Sequence, residues 1–286
     1  ITRFLWPIAK KGMPRINAME KDALKAGEKS LESIFFAPSA QQISEAKKTL
    51  KRVDKSLDLP SQAFLDGPVQ EVIDLCDDFS INHIDYDLPE VVWNKLRDEK
   101  FFGLVIDKKY GGLGFNQQAH AQILNKLASR SLTLASIVAV PNSLGPGELI
   151  THYGTEEQKK RYLKPLALGK EIPCFGLTST KAGSDAQSIE DYALVVRYKD
   201  KSGKDCIGLK VSFSKRYITL APIATLIGLA VKVYDKERIL FDQEDVGITL
   251  LLIPASTPGI IQGQRHYPGS LTFLNGPIEG SDIVVP

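Results

Sequence analysis

Residues 155–177 read TEEQKKRYLKPLALGKEIPCFGL, and the patterning rule of the chain changes inside them. Thr155 with Gln158 three residues on has the form of a helix capping box. Glu156 and Glu157 suit the positive end of that helix, and Lys159, Lys160 and Arg161 follow toward its centre. Beyond Pro173 the helical spacing of apolar residues gives way to runs of β-formers. A join near Ile172-Pro173 therefore separates a helical unit from a β unit.

Working back from the join, residues 61–170 read as helix. Pro68 sits near a helix start after Asp66-Gly67, and Val69, Val72, Ile73, Cys76 and Phe79 then recur at helical spacing. Asp87 with Glu90 fits a second capping box, with Pro89 in the first turn and Val92, Trp93 and Leu96 as the apolar stripe. Residues 117–127 form a further helix that buries Ile123, Leu124 and Leu127. Working forward, strands are expected over 192–198, 206–213, 217–220, 225–234, 248–253 and 283–285. Turns are expected at 201–204, at 257–259 and at Asn275-Gly276-Pro277. Short strands at this spacing indicate a small barrel or sandwich. The order, an all-α unit and then an all-β unit without βαβ alternation, excludes a doubly wound nucleotide fold. The fold class expected is thus α+β and multidomain: a helical arm over 1–60, an all-α domain over 61–172 and a barrel-like β domain over 173–286.

Composition narrows the function. Hydrophobic residues make up 43% and charged residues 24% of the 286, as in globular proteins at large. Cys76, Cys174 and Cys206 lie far apart and are odd in number, which fits a reducing compartment better than a disulfide framework. His83, His120, His152 and His266 form no metal-binding pair, so no metal is expected. The uncharged run 131–147 contains two prolines and is too short and polar to span a bilayer. Residues 1–60 carry twelve basic against seven acidic side chains, a net +5 beside a net −3 for the rest. This basic arm reads either as a solvated helical face or as a segment drawn to an anionic membrane surface. Nucleic-acid binding is not expected, because no basic stripe is interleaved with aromatics. The ends at Ile1 and Pro286 lead us to expect further chain on either side.

Familiar nucleotide and nucleophile motifs fail. Gly111-Gly112-Leu113-Gly114 lacks the third glycine of GxGxxG, and neither GxxxxGK[ST] nor GxSxG occurs. Four stretches hold together: Tyr110-Gly111-Gly112-Leu113-Gly114, His152-Tyr153-Gly154-Thr155-Glu156-Glu157-Gln158-Lys159, Phe175-Gly176-Leu177-Thr178-Ser179-Thr180-Lys181-Ala182-Gly183-Ser184-Asp185, and Lys215-Arg216-Tyr217-Ile218-Thr219. In order and spacing they resemble the acyl-CoA dehydrogenase family over residues 61–286. The stretch 142–149 and the arm before residue 60 look most like its long bacterial fatty-acid-degradation form.

The resemblance implies FAD, α,β-dehydrogenation of a fatty acyl-CoA to the trans-2-enoyl-CoA, an electron-transfer flavoprotein as acceptor, a homo-oligomer, and a cytoplasmic site associated with the inner membrane. It implies that Phe175, Leu177, Thr178, Gly183 and Ser184 run along the flavin, with Ser184 also meeting the CoA arm. It places Tyr217 where the family commonly has tryptophan, beside Ile218 and with Thr219 toward flavin N5. Val138, Val140, Asn142, Leu144 and Gly145 become candidate walls for the acyl tail. The catalytic base is implied to come from a C-terminal helical domain beyond Pro286, which excludes Glu148 from that role. Ser179-Thr180-Lys181 departs from the family's usual Thr-Glu-Pro course before Ala-Gly-Ser-Asp, and so puts FAD affinity in doubt. An acyl-CoA oxidase, or a non-catalytic flavin- or acyl-CoA-binding remnant, are the alternatives.

Overall fold

A computed structural model describes residues 56–286, apart from Leu144 and Lys201, and six isolated positions before them. The chain divides into Ile1–Ser56 and Leu57–Pro286, and every element with described bounds lies in the second unit. The expected basic arm and the candidate wall residue Leu144 fall outside the described residues.

Among the described residues eight α-helices come first: α1 Leu59–Asp66, α2 Pro68–Asp74, α3 Asp78–Ser80, α4 Glu90–Asp98, α5 Gln117–Ala128, α6 Leu132–Ala139, α7 Pro146–Tyr153 and α8 Glu156–Ala167. Side-chain caps start most of them, which answers the orphan N–H groups of a first turn. Asp58 accepts from Ser61 N at 2.9 Å, Asn116 from Ala119 N at 2.9 Å, and Ser131 from Leu134 N at 3.3 Å. The Thr155–Gln158 box of α8 forms in both directions. The box expected at Asp87 and Glu90 does not form. Pro89 is the residue before α4, and Asp87 Oδ1 instead accepts from Leu88 N and Trp93 Nε1. The indole wins the carboxylate because Trp93 is buried and its N–H needs a partner.

Seven strands follow: β1 Pro173–Gly176, β2 Tyr192–Lys199, β3 Asp205–Thr219, β4 Leu226–Tyr234, β5 Asp245–Pro254, β6 Ile260–Gln262 and β7 Asn275–Val285. They form one sheet, ordered β1-β4-β2-β3-β7-β6 with β5 on the other edge of β4. The sandwich alternative therefore falls, since two packed sheets do not occur among the described residues. β1 and β2 both run parallel to β4, at its first and last residues. The expected strands 206–213 and 217–220 merge into a single long strand, β3, which ends at Thr219, with Leu220 just beyond it in a left-handed turn. Asn275-Gly276-Pro277, expected as a turn, opens β7.

One irregularity explains that last difference. Lys215 pairs with Ile278 and Ile218 with Gly276, so Arg216 and Tyr217 together face Pro277. This is a β-bulge, and Tyr217 takes φ 57°, a left-handed value rare for an aromatic. Proline has no N–H to give the ladder, so it fits a strand where pairing is already interrupted.

Helices and sheet share one core, from Phe64, Phe101 and Leu134 through Ala193, Ile227 and Ile278. Two joints fix their docking. At Gly228 of β4 a Cβ would lie 3.0 Å from Pro146 Cγ, so glycine lets α7 approach the sheet. Farther off, buried Asn82 accepts Thr133 Oγ1 at 2.9 Å and Thr272 Oγ1 at 3.0 Å, and Thr272 also donates to Ile81 O at 3.1 Å.

Candidate functional site

The segment after β1 is drawn against the bulge of β3. Leu177 N–H turns back to Phe175 O at 3.1 Å, and Thr178 O accepts Arg216 N–H at 3.1 Å. Ser179 bridges Lys215 in antiparallel fashion, and its N–H closes a turn onto Ala182 O at 2.9 Å. Two of the four quoted stretches, well separated in sequence, thus become one surface. The Tyr217 ring is 53% exposed and carries the Arg216 guanidinium 4.6 Å from its centroid. Ile218 points into the core, and Thr219 is half-buried.

Beneath this surface lies an ion pair. Lys215 is fully buried, and its Nζ donates to Asp191 Oδ2 at 2.7 Å, Leu177 O at 3.0 Å and Ser179 Oγ at 3.1 Å. Asp191 Oδ1 accepts Ser214 N–H at 2.7 Å, Oδ2 also receives the Ser179 hydroxyl, and the Asp191 carbonyl accepts Lys232 N–H at 2.9 Å. Burial pulls the Lys215 ammonium below its usual pKa, and Asp191 offsets part of that. Lys181, in the stretch that departs from the family pattern, is exposed and paired with Glu190 at 2.7 Å.

The loop before β7 supplies a wall that sequence reading missed. The His266 ring lies tilted by 60° with its centroid 5.1 Å from that of Tyr217, its backbone N–H donates to Asn275 O at 2.7 Å, and Asn275 Nδ2 reaches Thr219 Oγ1 at 3.4 Å. Buried His266 Nδ1 and Asn275 Oδ1 have no hydrogen-bond partner. Buried polar atoms are normally satisfied, and these two unpaired ones lie beside an exposed aromatic. No sequence signal stood out here, because the pair meets Thr219 only through strand register.

Gly183 and Ser184 are exposed on the outer side of the loop. A Cβ at Gly183 would meet nothing within 4 Å. The wall candidates sit elsewhere. Val138 is fully buried in α6. Asn142 is fully buried too; it donates to Phe101 O at 2.6 Å and Val138 O at 2.9 Å, and accepts Val105 N–H at 3.4 Å. Val140 packs half-buried on the core, and at Gly145 a Cβ would strike Val140 O at 2.6 Å. Packing therefore accounts for each of these four. A separate apolar groove of about 370 Å³ runs between α7 and β5, lined by Leu149, Tyr153, Phe175, Leu250 and Leu252 among others. Among the described residues no cluster could hold a metal ion, and no helix is long and apolar enough to cross a membrane.

With that geometry in place, comparison with known proteins is decisive for the helical part. Residues 63–170 match the family model of the acyl-CoA dehydrogenase N-terminal domain. These residues belong to the acyl-CoA dehydrogenase family. The chain is 27% identical over 207 residues to a subunit of the caffeyl-CoA reductase–Etf complex of Acetobacterium woodii, covering 70% of this chain and 49% of that one. It is 31% identical over 192 residues to the mitochondrial short/branched chain specific acyl-CoA dehydrogenase of Bos taurus, covering 67% and 40%. The chain thus spans half or less of the length of these curated relatives. Its fold is shared with a glutaryl-CoA dehydrogenase of Mycobacterium smegmatis solved with FADH2, at TM-score 0.65 and 23% identity, over 83% of this chain and 56% of that one. The acyl-CoA dehydrogenase N-terminal domain covers α1 through α8 almost completely, and the structural match extends the shared architecture into the sheet.

Proposed function

We propose that this chain forms the helical and β parts of a FAD-dependent oxidoreductase that acts on the α,β-carbons of an acyl-CoA thioester, converting fatty acyl-CoA to trans-2-enoyl-CoA. The observation that carries the reading is the joining of the 175–184 segment to the 215–219 bulge through Thr178 O and Arg216 N–H. The residues fit a flavin. The half-exposed Tyr217 ring offers a flat flank, and the orphaned His266 Nδ1 and Asn275 Oδ1 offer polar contacts beside it. The open space at Gly183 and the exposed Ser184 suit phosphates.

Phe175, Leu177, Thr178, Gly183, Ser184, Tyr217, Ile218 and Thr219 would hold the cofactor. Bound there, FAD supplies the acceptor for the hydride that leaves the β-carbon. The Thr219 hydroxyl would offer its proton to the bound cofactor, where charge develops during the transfer. Its oxygen already accepts from Asn275 Nδ2, so its single proton is free to point outward. Leu177 N–H is engaged with Phe175 O, which leaves Thr178 as the donor on that segment. We assign the α-proton to a carboxylate outside residues 57–286. Glu148 lies on α7, where it acts on buried His120.

The same reading takes an electron-transfer flavoprotein as the acceptor and a homo-oligomer as the working form. The Etf complex named for one relative supports the first. The net +5 of residues 1–60 supports contact of that segment with an anionic inner-membrane surface on the cytoplasmic side. The relative named as a reductase supports a second reading, reduction of an enoyl-CoA by the same site.

The test is the full protein, purified and denatured to release its flavin. FAD in near-equal amount to protein is expected, and a saturated acyl-CoA should bleach its visible absorbance. Protein that neither retains nor takes up FAD overturns the proposal. Bleaching only by added reductant, with re-oxidation by enoyl-CoA, favours the reductase. Oxygen consumption with peroxide release identifies an oxidase.

A further inference from the structure

We infer that Lys215 and Asp191 are positioning residues for the cofactor: a buried ion pair that sets the Leu177–Ser179 backbone against the Tyr217 bulge. The inference rests on the FAD reading above and names the groups that give its site a fixed shape.

The case starts from cost. Lys215 is 0% and Asp191 5% exposed at the side chain, so both charges are held out of water. A buried pair of this kind is often matched or bettered in stability by well-packed apolar residues of the same volume. Stability alone is therefore a poor reason for placing a charge pair here.

What the pair does supply is direction. Leu177, Thr178 and Ser179 have left the β1 ladder. They are fixed from below by Lys215 Nζ, which donates to Leu177 O and Ser179 Oγ. Asp191 is fixed in turn from three strands. It precedes β2, takes Ser214 N–H of β3, and gives its carbonyl to Lys232 N–H of β4. An apolar side chain could fill the volume but would leave the Leu177 carbonyl without its donor. The loop would then lose its fixed course beside Tyr217. Around metal sites, groups that support the ligating side chains in this way commonly change affinity by about 10–100-fold when removed, and a loss of that order is expected here.

The experiment separates this role from a structural one. In the full protein, Lys215→Met combined with Asp191→Asn removes both charges. The new amide still accepts Ser214 N–H. Unfolding midpoints of the FAD-free proteins, FAD dissociation constants and amide hydrogen exchange across 177–183 are measured. The expected result is a near wild-type midpoint, FAD binding weakened about tenfold or more, and faster exchange in that segment. FAD affinity and exchange equal to wild type would overturn the inference. Should the double variant fail to fold, Ser179→Ala removes one contact of Lys215 without leaving a charge unpaired. Weaker FAD binding in that variant supports the inference, and unchanged binding overturns it. Wild-type protein that binds no FAD would overturn the flavin reading itself, and the inference with it.

Discussion

Two irregular segments of this molecule are held by buried polar side chains, and they are held in opposite ways. The turn after α6 is fastened by Asn142, a neutral amide that gives both N–H bonds to backbone carbonyls and takes one from Val105. The loop after β1 is fastened by Lys215 and Asp191, two full charges that also serve Leu177, Ser179 and Ser214. Asn142 satisfies helix-end backbone groups and is itself satisfied, at modest electrostatic cost. The charged pair is expensive to bury and exposes its surroundings to a large penalty if one member is lost. The cheaper fastener sits where only packing is at stake, and the costly one sits beneath the candidate site.

The largest expected effect tests the costly fastener. Lys215→Met alone strands the Asp191 carboxylate and should destabilise the fold by about 3–5 kcal/mol in urea unfolding. A loss no larger than that of an ordinary surface substitution would show that water reaches Asp191 and that the two fasteners do not differ in kind. Asn142→Leu should cost less, about 2–3 kcal/mol, since it leaves the Phe101 and Val138 carbonyls and the Val105 N–H unpartnered but no charge. If the Asn142→Leu variant were unchanged in stability but altered in acyl-chain preference, that turn would return to the substrate wall proposed from sequence.

Thr219→Val comes next, in the full protein. It keeps the β-branched shape of the strand and removes the hydroxyl next to Asn275. Flavin reduction by saturating acyl-CoA, followed by stopped-flow bleaching, should slow by about 2 kcal/mol, near thirtyfold, with FAD still bound. Wild-type rates would make Thr219 a strand residue only. The smallest effect concerns His120, whose buried ring is held below its usual pKa of 6.5 by burial, with Glu148 offsetting part of it. A folded pKa below the unfolded one means the unfolded chain takes the proton first. The stability of the neutral ring is full above pH 6.5 and falls away as pH drops below it. His120→Phe should flatten that acid limb of the unfolding free energy, and an unchanged limb would assign it to other groups.

Periodicity made the architecture readable. The join at Ile172-Pro173 marks the boundary because both neighbours have strong, opposite patterns, and most helix starts carried a side-chain cap in plain sequence. Failures came where a non-local partner took over a local signal, as when Trp93 claimed Asp87 from the expected capping box. The Asn275-Gly276-Pro277 turn failed for a similar reason: a bulge in β3, far off in sequence, made room for a proline in the ladder. At the candidate site, the two segments that meet there could be named from their motifs. Asp191 and His266 could not, because each joins the site through tertiary register, and Asn275 stood only in the turn signal Asn275-Gly276-Pro277, which says nothing of its neighbours in space.

Gly183 carries a different kind of information. The position is exposed, its φ lies outside the left-handed region, and a side chain would touch nothing in the chain. As far as folding is concerned, the residue could be alanine, and Gly183→Ala should leave the unfolding midpoint of the FAD-free protein within about 0.5 kcal/mol of wild type or slightly above it. Any selection for the missing methyl must then come from whatever lies over the loop. On the flavin reading, the glycine would be a negative imprint of the cofactor, a residue whose identity the protein's own physics leaves unwritten. A loss of FAD affinity in the alanine protein, with stability intact, would read that imprint directly.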